Sequence, residues 1–270
     1  MESLKVALFA AAQGVWTALR AAGRAVLGRE RFDRLVGLTG LRGLKSRTWL
    51  TRRRMPDGTV LLVRPHDQCI VDEVYERGAY SGAEILPGQT VVDAGAHIGA
   101  FTLMAARRVG PTGRVVCFEP SPRTRELLDR NLAANAVPWV SRRDCALAGA
   151  EGRAELFVAD DAADNPAADT LHASAGRAAV PVRVRRLDDV LEEEGVGPVD
   201  HLKIDVEGAE LSVMDGAPET LARTRRVVLE VHPPRVDPAE VRRRLEALGF
   251  SCRLVSEAPG SAILEASRPS

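Results

Sequence analysis

The stretch "VVDAGAHIGAFTL", residues 91–103, decides the fold. An apolar, valine-rich run ends at Asp93, a turn with two glycines follows, and a helix-forming segment, "FTLMAARRV", comes next. Strand, turn and helix in that order open a doubly wound α/β sheet, whose ligands lie beyond the strand C-termini. A dinucleotide fingerprint would read G-x-G-x-x-G, with its second glycine admitting a pyrophosphate. Here the same positions hold Gly95, His97 and Ala100. The imidazole of His97 would crowd a pyrophosphate, and the carboxylate of Asp93 would repel a phosphate dianion.

A cofactor without phosphates suits this loop. S-adenosylmethionine carries a sulfonium and an ammonium group, and Asp93 can stabilise the ammonium directly or through water. Gly95, Ala96, His97 and Gly99 form the turn across which such a cofactor lies, its carboxylate on backbone N–H groups at the helix start. His97 either touches cofactor or substrate, or points outward or caps the helix. The next strand, "GRVVCFEP", ends at Glu119, an acid placed to accept both ribose hydroxyls, a feature nicotinamide enzymes share. A third strand, "VPWVSRRDCAL", ends near Asp144, which either accepts from the adenine amino group or is a surface carboxylate.

The flanking chain supports one α/β domain. Residues 1–50, rich in Ala, Leu and Arg, read as an N-terminal helical extension, and residues 51–270 as the catalytic domain. "RTWLTRRRMPDGTVLLVRP" reads as a hairpin turning at Pro56-Asp57-Gly58, and "QCIVDEVYERGAY" as a helix ending at Gly78. Ser121 and Pro122 mark one helix start. Asp237, Pro238 and Glu240 mark another as a capping box. "AELFVAD" and "VPVRVRRLD" are two short strands around the Ala-rich insert 160–178. "VDHLKIDVEG" and "RRVVLEVHPP" are core strands, and "FSCRLVSE" with "SAILEAS" a closing hairpin. The expected fold is a mostly parallel, doubly wound α/β sheet with helices on both faces.

Composition excludes several classes. The 270 residues include 37 basic and 37 acidic side chains, a balance that gives no general attraction to nucleic acid or anionic membrane. The arginine-rich stretches 223–226 and 242–244 read as a strand entry and a solvated helix face. The four cysteines have no metal-knuckle or disulfide spacing, which points to a reducing, cytoplasmic setting. "LKVALFAAAQGVW" falls short of the roughly 20 apolar residues of a membrane span and reads as an amphipathic helix rather than a signal peptide. An exposed Trp16 or Trp49 would favour a homodimer; packing on the sheet is the equal alternative.

The second unusual stretch is "HLKIDVEGAE", with Lys203, Asp205 and Glu207 on one face if the strand continues. Buried charges on a core strand are costly unless paired, so this trio is either an ion pair that pins the strand or an active site. The following strand end adds Glu230 and His232. Together "VVDAGAHIGAFTL", "GRVVCFEPSP", "RRLDDVL" and "HLKIDVEGAELSVMDGA" resemble the FkbM-type family of class I S-adenosylmethionine-dependent methyltransferases, over about Arg64 to Pro234. The resemblance implies a seven-stranded, Rossmann-like class I methyltransferase fold and methyl transfer, most often to a hydroxyl of a sugar or polyketide. It implies cofactor roles for Asp93, Gly95, Gly99 and Glu119, and an active-site role for Lys203, Asp205 and Glu207. One departure is that Tyr80 precedes Ser81, where the family often has Tyr-Glu; the nearest following acid is Glu84.

A hydroxyl acceptor must lose its proton, so Asp205, Glu207 and His232 are candidate bases, with Lys203 orienting Asp205 or stabilising alkoxide charge. A Mg²⁺ ion on Asp205 and Glu230 is the alternative way to lower the acceptor's pKa. Other readings are a nitrogen or carboxylate acceptor, a nicotinamide-dependent oxidoreductase, and a non-catalytic S-adenosylmethionine-binding protein. The acceptor is expected to be a small molecule in a pocket shaped by the 160–178 insert and the N-terminal helices.

Overall fold

From Thr90 onward the expected alternation of strand and helix is present in a computed structural model, which describes residues 50–80, 84–158, 169–173 and 177–268. The helical reading of residues 1–49, with Trp16 and Trp49, lies outside the described residues. β1 (Thr51–Arg54) and β2 (Val60–Val63) form the expected hairpin. Its turn is made by Gly58 at φ 85° and by Asp57, whose Oδ1 accepts from Thr59 N at 2.9 Å. A helical run follows, Pro65–Asp67, α1 (Gln68–Asp72) and Glu73–Arg77, and ends at Gly78 with φ 64°.

The central elements are β3 (Thr90–Ala94), α2 (Ala100–Val109), β4 (Arg114–Phe118), α3 (Pro122–Asn135) and β5 (Val140–Arg143). Next come β6 (Cys145–Leu147), β7 (Gly152–Val158), β8 (Ala178–Arg185), α4 (Leu187–Glu193) and β9 (Val199–Ile204). The chain continues with α5 (Glu210–Asp215), α6 (Pro218–Ala222), β10 (Thr224–Val231), α7 (Pro238–Ala247), β11 (Ser251–Ala258) and β12 (Ser261–Ser267). Seven strands pair in the order β11-β12-β10-β9-β3-β4-β5, all parallel from β10 to β5, with β12 antiparallel to both its neighbours. Strand order reverses between β3 and β9, which opens a crevice at their C-terminal ends.

Alternation along β3 explains the two helical layers. Val91 belongs to the apolar cluster that includes Leu103 and Met104 of α2. Val92 and Ala94 belong to the opposite cluster, with Leu191 of α4, Val213 of α5 and Leu245 of α7. Strands buried on both faces read as apolar runs, as these do.

Three local features differ from the sequence pattern. The third strand is two: β5 pairs with β4, then the chain bends at Asp144 and β6 joins a separate sheet with β8 and β7. The cause is polarity, since Ser141, Arg142 and Arg143 suit a sheet edge whereas Cys145–Leu147 are buried. At α3 the Ser121 hydroxyl caps nothing; its N–H instead donates to Glu119 Oε1 at 2.8 Å. At α7 Asp237 accepts from Ala239 N at 2.9 Å, but Glu240 pairs with Arg243 and Arg244 rather than closing the box.

Asn131 and Asn135 of α3 act as a surrogate strand for β2. Their Oδ1 atoms accept from Leu62 N and Val60 N at 2.7 and 2.8 Å, and their Nδ2 atoms donate to the same residues' carbonyls. Spaced one helical turn apart, they match alternate residues of the strand. All four cysteines are free thiols, and among the described residues no helix is long and apolar enough to cross a membrane.

Candidate active site

A cavity of about 240 Å³ opens where β3 and β9 end. One end is walled by Glu119, Pro120, Cys145, Ala146, Leu156, Asp169 and Leu171, the other by Glu73, Tyr80, Lys203, Asp205, Glu207 and Glu230, with the loop of residues 95–97 between. The loop is pressed onto the turn after β9, so a Cβ on Gly95 would lie 1.8 Å from the Asp205 carbonyl oxygen; only glycine fits. Gly99 and His97 both have left-handed backbones, at φ 89° and 51°.

Asp93 is fully buried beneath this loop rather than in the cavity wall. Its oxygens accept from Thr102 Oγ1 at 2.5 Å and Lys203 Nζ at 3.1 Å. Lys203 Nζ also donates to Gly95 O at 2.9 Å and lies 3.4 Å from Asp205 Oδ2. Burial opposes its charge, yet Asp93 and Asp205 outweigh that and hold the ammonium's pKa above the ordinary lysine value. Lys203 is therefore a fixed cation joining the loop, Asp93 and Asp205.

Glu119 sits in the wall with each oxygen half used. Oε1 accepts from Ser121 N and Oε2 from His97 N, at 2.8 and 2.9 Å. Burial pushes its pKa up to about 8. A carboxylate oxygen can accept twice, so a lone pair remains on each for two hydroxyl donors. This fits a ribose diol, and the apolar wall of Cys145, Ala146 and Leu156 fits a purine. The residues present thus suit S-adenosylmethionine, whereas the acidic lining opposes a dinucleotide's phosphates. Asp144 is exposed and outside this wall. His97 is neutral, since burial pulls its pKa down to about 4; its Nε2 lies 3.6 Å from Asp67, and its buried Nδ1 has no partner.

The acid-rich end assembles the second constellation. Asp205 follows β9, and Glu207 turns the chain with φ 54° before Gly208. His232, just beyond β10, points Nε2 at Glu207 Oε2 at 3.6 Å and at Asp205 Oδ1 and Glu230 Oε1, both at 3.9 Å. Its Nδ1 meets Glu210 Oε1 at 2.8 Å. Burial disfavours the imidazolium, but Glu210, Glu207 and Asp205 prevail and raise the pKa to about 9. Burial raises Asp205 above the usual carboxylate range against the pull of Lys203, and raises Glu207 to about 7. Asp205, Glu207 and His232 each offer a ligand atom, all within 4.8 Å of one another.

Glu73 and Asp169 of the wall escaped the sequence reading, and Tyr80 entered it only as the residue before Ser81. Glu73 reaches the cavity from the helical run, on one face with Cys69 and Ile70, and burial, then Glu230 and Asp205, push its pKa to about 7. Glu84, the acid that follows Tyr80, is exposed and outside this wall. An acid on the apolar side of "QCIVDEVYERGAY" was the available signal. Tyr80 donates to Glu230 Oε2 at 2.8 Å, its hydroxyl 3.4 Å from Asp205 Oδ2, and its ring meets Phe101 edge-on at 5.6 Å.

Strand order, reversal point and loop define a class I, Rossmann-like methyltransferase. The crystal structure of methyltransferase FkbM from Methylobacillus flagellatus KT shares this fold, with a TM-score of 0.51 and 17% identity, over 69% of this chain and 45% of that one. The model of the methyltransferase FkbM domain matches residues 93–252, and the chain belongs to that family; it is an S-adenosylmethionine-dependent methyltransferase. It is 32% identical over 210 residues to methyltransferase sdnD of Sordaria araneosa, covering 67% of this chain and 79% of sdnD. It is 31% identical over 231 residues to 31-O-demethyl-FK506 methyltransferase FkbM of Streptomyces tacrolimicus, covering 73% and 88%. AMB antimetabolite synthetase AmbE of Pseudomonas aeruginosa is 34% identical over 210 residues, which are 63% of this chain but 9% of AmbE. Family membership removes the oxidoreductase reading.

Proposed function

We propose that this methyltransferase acts on a hydroxyl of a small molecule of sugar or polyketide type, with Asp205 as the base. The observation that carries this reading is Asp205 itself. Its carboxylate stands in the cavity wall beside the cofactor loop, burial raises its proton affinity, and Lys203 and Tyr80 fix it at 3.4 Å each. A positioned base with raised pKa is what a hydroxyl acceptor requires. The name of the Streptomyces tacrolimicus relative, an O-methyltransferase, points the same way.

Bound S-adenosylmethionine supplies a methyl carbon already activated by its sulfonium. The chain contributes alignment and charge. The loop of residues 95–99 and Glu119 seat the cofactor, with Asp93 acting through Lys203. Asp205 takes the acceptor's proton as its oxygen attacks. Lys203 keeps Asp205 aimed without exchanging protons, and His232, an imidazolium near neutrality, offsets the negative charge of Glu207 and Asp205. The cavity wall carries Glu73, Asp205, Glu207 and Glu230 at this end, which repels a carboxylate acceptor.

With the purified enzyme and a panel of polyhydroxylated acceptors, Asp205→Asn should lower kcat by about 10²–10⁴-fold, while calorimetric affinity for S-adenosylhomocysteine stays within twofold. Undiminished turnover would remove Asp205 from the mechanism. The cluster of Asp205, Glu207 and His232 favours a second reading, a divalent cation that lowers the acceptor's pKa. A His ligand beside two carboxylates suits Mn²⁺, Fe²⁺ or Zn²⁺ better than the Mg²⁺ expected on Asp205 and Glu230. Turnover lost in EDTA and restored by one of these ions would support it; turnover unaffected by EDTA would exclude it.

A further inference from the structure

Between β7 and β8, residues 169–173 lie on the molecule as a strap fastened at both edges. Thr170 is 1% exposed and pairs with Phe157 through two backbone bonds, Phe157 N to Thr170 O at 2.8 Å and Thr170 N to Phe157 O at 3.2 Å. Its Oγ1 donates to Glu207 O at 2.8 Å, and His172 Nε2 meets Gly208 O at 2.7 Å. A Cβ on Gly208 would lie 3.0 Å from the His172 ring, so this strap lies flush on the turn that carries Glu207. Leu171 packs against the cluster of Ala146 and Leu156. The strap thereby places Asp169 and Leu171 in the cavity wall, at the apolar end beside Glu119.

That end needs an acceptor which Asp144 is not placed to provide. A purine ring wants apolar contact on its faces and an acceptor for its exocyclic amino group. Glu119 is taken up by two backbone donors and the ribose, and the remaining wall carboxylates stand at the Lys203 end. We infer that Asp169, carried on the strap of residues 169–172, accepts the hydrogen bond of the adenine amino group, and that Leu171 covers the base. The inference rests on S-adenosylmethionine being the cofactor. Because the same strap holds the carbonyls of Glu207 and Gly208, seating the adenine and setting the acidic turn become one event.

Calorimetric titration with S-adenosylhomocysteine, and with its inosine analogue in which a carbonyl replaces the amino group, tests this. Asp169→Asn should weaken S-adenosylhomocysteine by about tenfold, because the amide oxygen still accepts from the amino group but without the charge that strengthens the bond, with Asp144→Asn within twofold of wild type. The inosine analogue should bind wild type poorly, and Asp169→Asn should close that gap, because an amide can donate to the carbonyl. Equal losses for both ligands in Asp169→Asn would reveal a merely structural strap and overturn the inference, as would wild-type affinity in Asp169→Asn or a loss confined to Asp144→Asn. Wild-type protein that binds neither ligand would instead refute the cofactor reading itself.

Discussion

Glu119 shows how one buried side chain links the cofactor to pH. Two backbone N–H groups hold its oxygens, yet burial keeps its pKa near 8. Two ribose hydroxyls donate best to the ionised form, so binding must draw a proton off at neutral pH. Affinity for S-adenosylhomocysteine should therefore rise about tenfold from pH 7 to pH 9 and then level, since each unit below the pKa costs a factor of ten. Glu119→Gln should bind at least about tenfold more weakly and lose this slope; a wild-type profile flat over that range would show that the carboxylate is already ionised. Asp93 makes the complementary point. It was legible as an acid ahead of the loop, but its distance from the cavity was not, because the Lys203 that claims it comes from another strand.

Among the elements, "RRLDDVL" carries a structural duty that its resemblance to the family does not reveal. Asp188 lies in the first turn of α4, 5% exposed, and accepts from Glu219 N at 3.1 Å and Thr220 N at 2.7 Å. It thus caps the short helix α6 from a distant part of the chain and joins it to α4. Side-chain caps contribute about 1–2 kcal/mol, and this one is buried, so its loss would strand two backbone donors. Asp188→Ala should lower unfolding free energy in urea by about that much, with S-adenosylhomocysteine affinity unchanged; a loss of affinity without a loss of stability would assign Asp188 to the site instead. The sequence of elements was legible because each has its own period, its own glycine or proline, or both. What escaped were pairings across the fold: the asparagines of α3 serving β2, and the bend at Asp144 that sends β6 into a second sheet. These depend on which surface a segment meets, which no local pattern encodes.

Across the whole molecule the same limit governs the site. Lys203, Asp205, Glu207 and His232 were readable because they end two adjacent core strands, whose order follows from the alternating topology. Glu73, Tyr80 and Asp169 arrive from a helical run and an insert outside that alternation. Their convergence concentrates carboxylates in one cavity and makes the unliganded protein sensitive to alkali. Glu73, Glu119 and Glu207 have folded pKa values of about 7, 8 and 7, above the 4.5 of a free glutamate. The native state therefore holds protons that the unfolded chain has released, and stability falls from pH 4.5 upward until those values are passed. His232, raised from 6.5 to about 9, acts in the same sense: its contribution is complete below 6.5 and lost on the way through 9. His97 and His201, both lowered to about 4, act oppositely and weaken the fold only as pH drops below 6.5. Melting of the unliganded enzyme should thus decline by at least about 5 °C from pH 6.5 toward pH 9, given roughly 2–4 °C per kcal/mol for a chain of this size. Glu207→Gln should flatten the decline, because its amide releases no proton, and saturating S-adenosylhomocysteine should lift the alkaline limb most, by binding the ionised Glu119. A wild-type melting temperature that holds or climbs from pH 6.5 to 9 would mean these carboxylates ionise in the folded protein as easily as in water, and the electrostatic account of the cavity would fall with it.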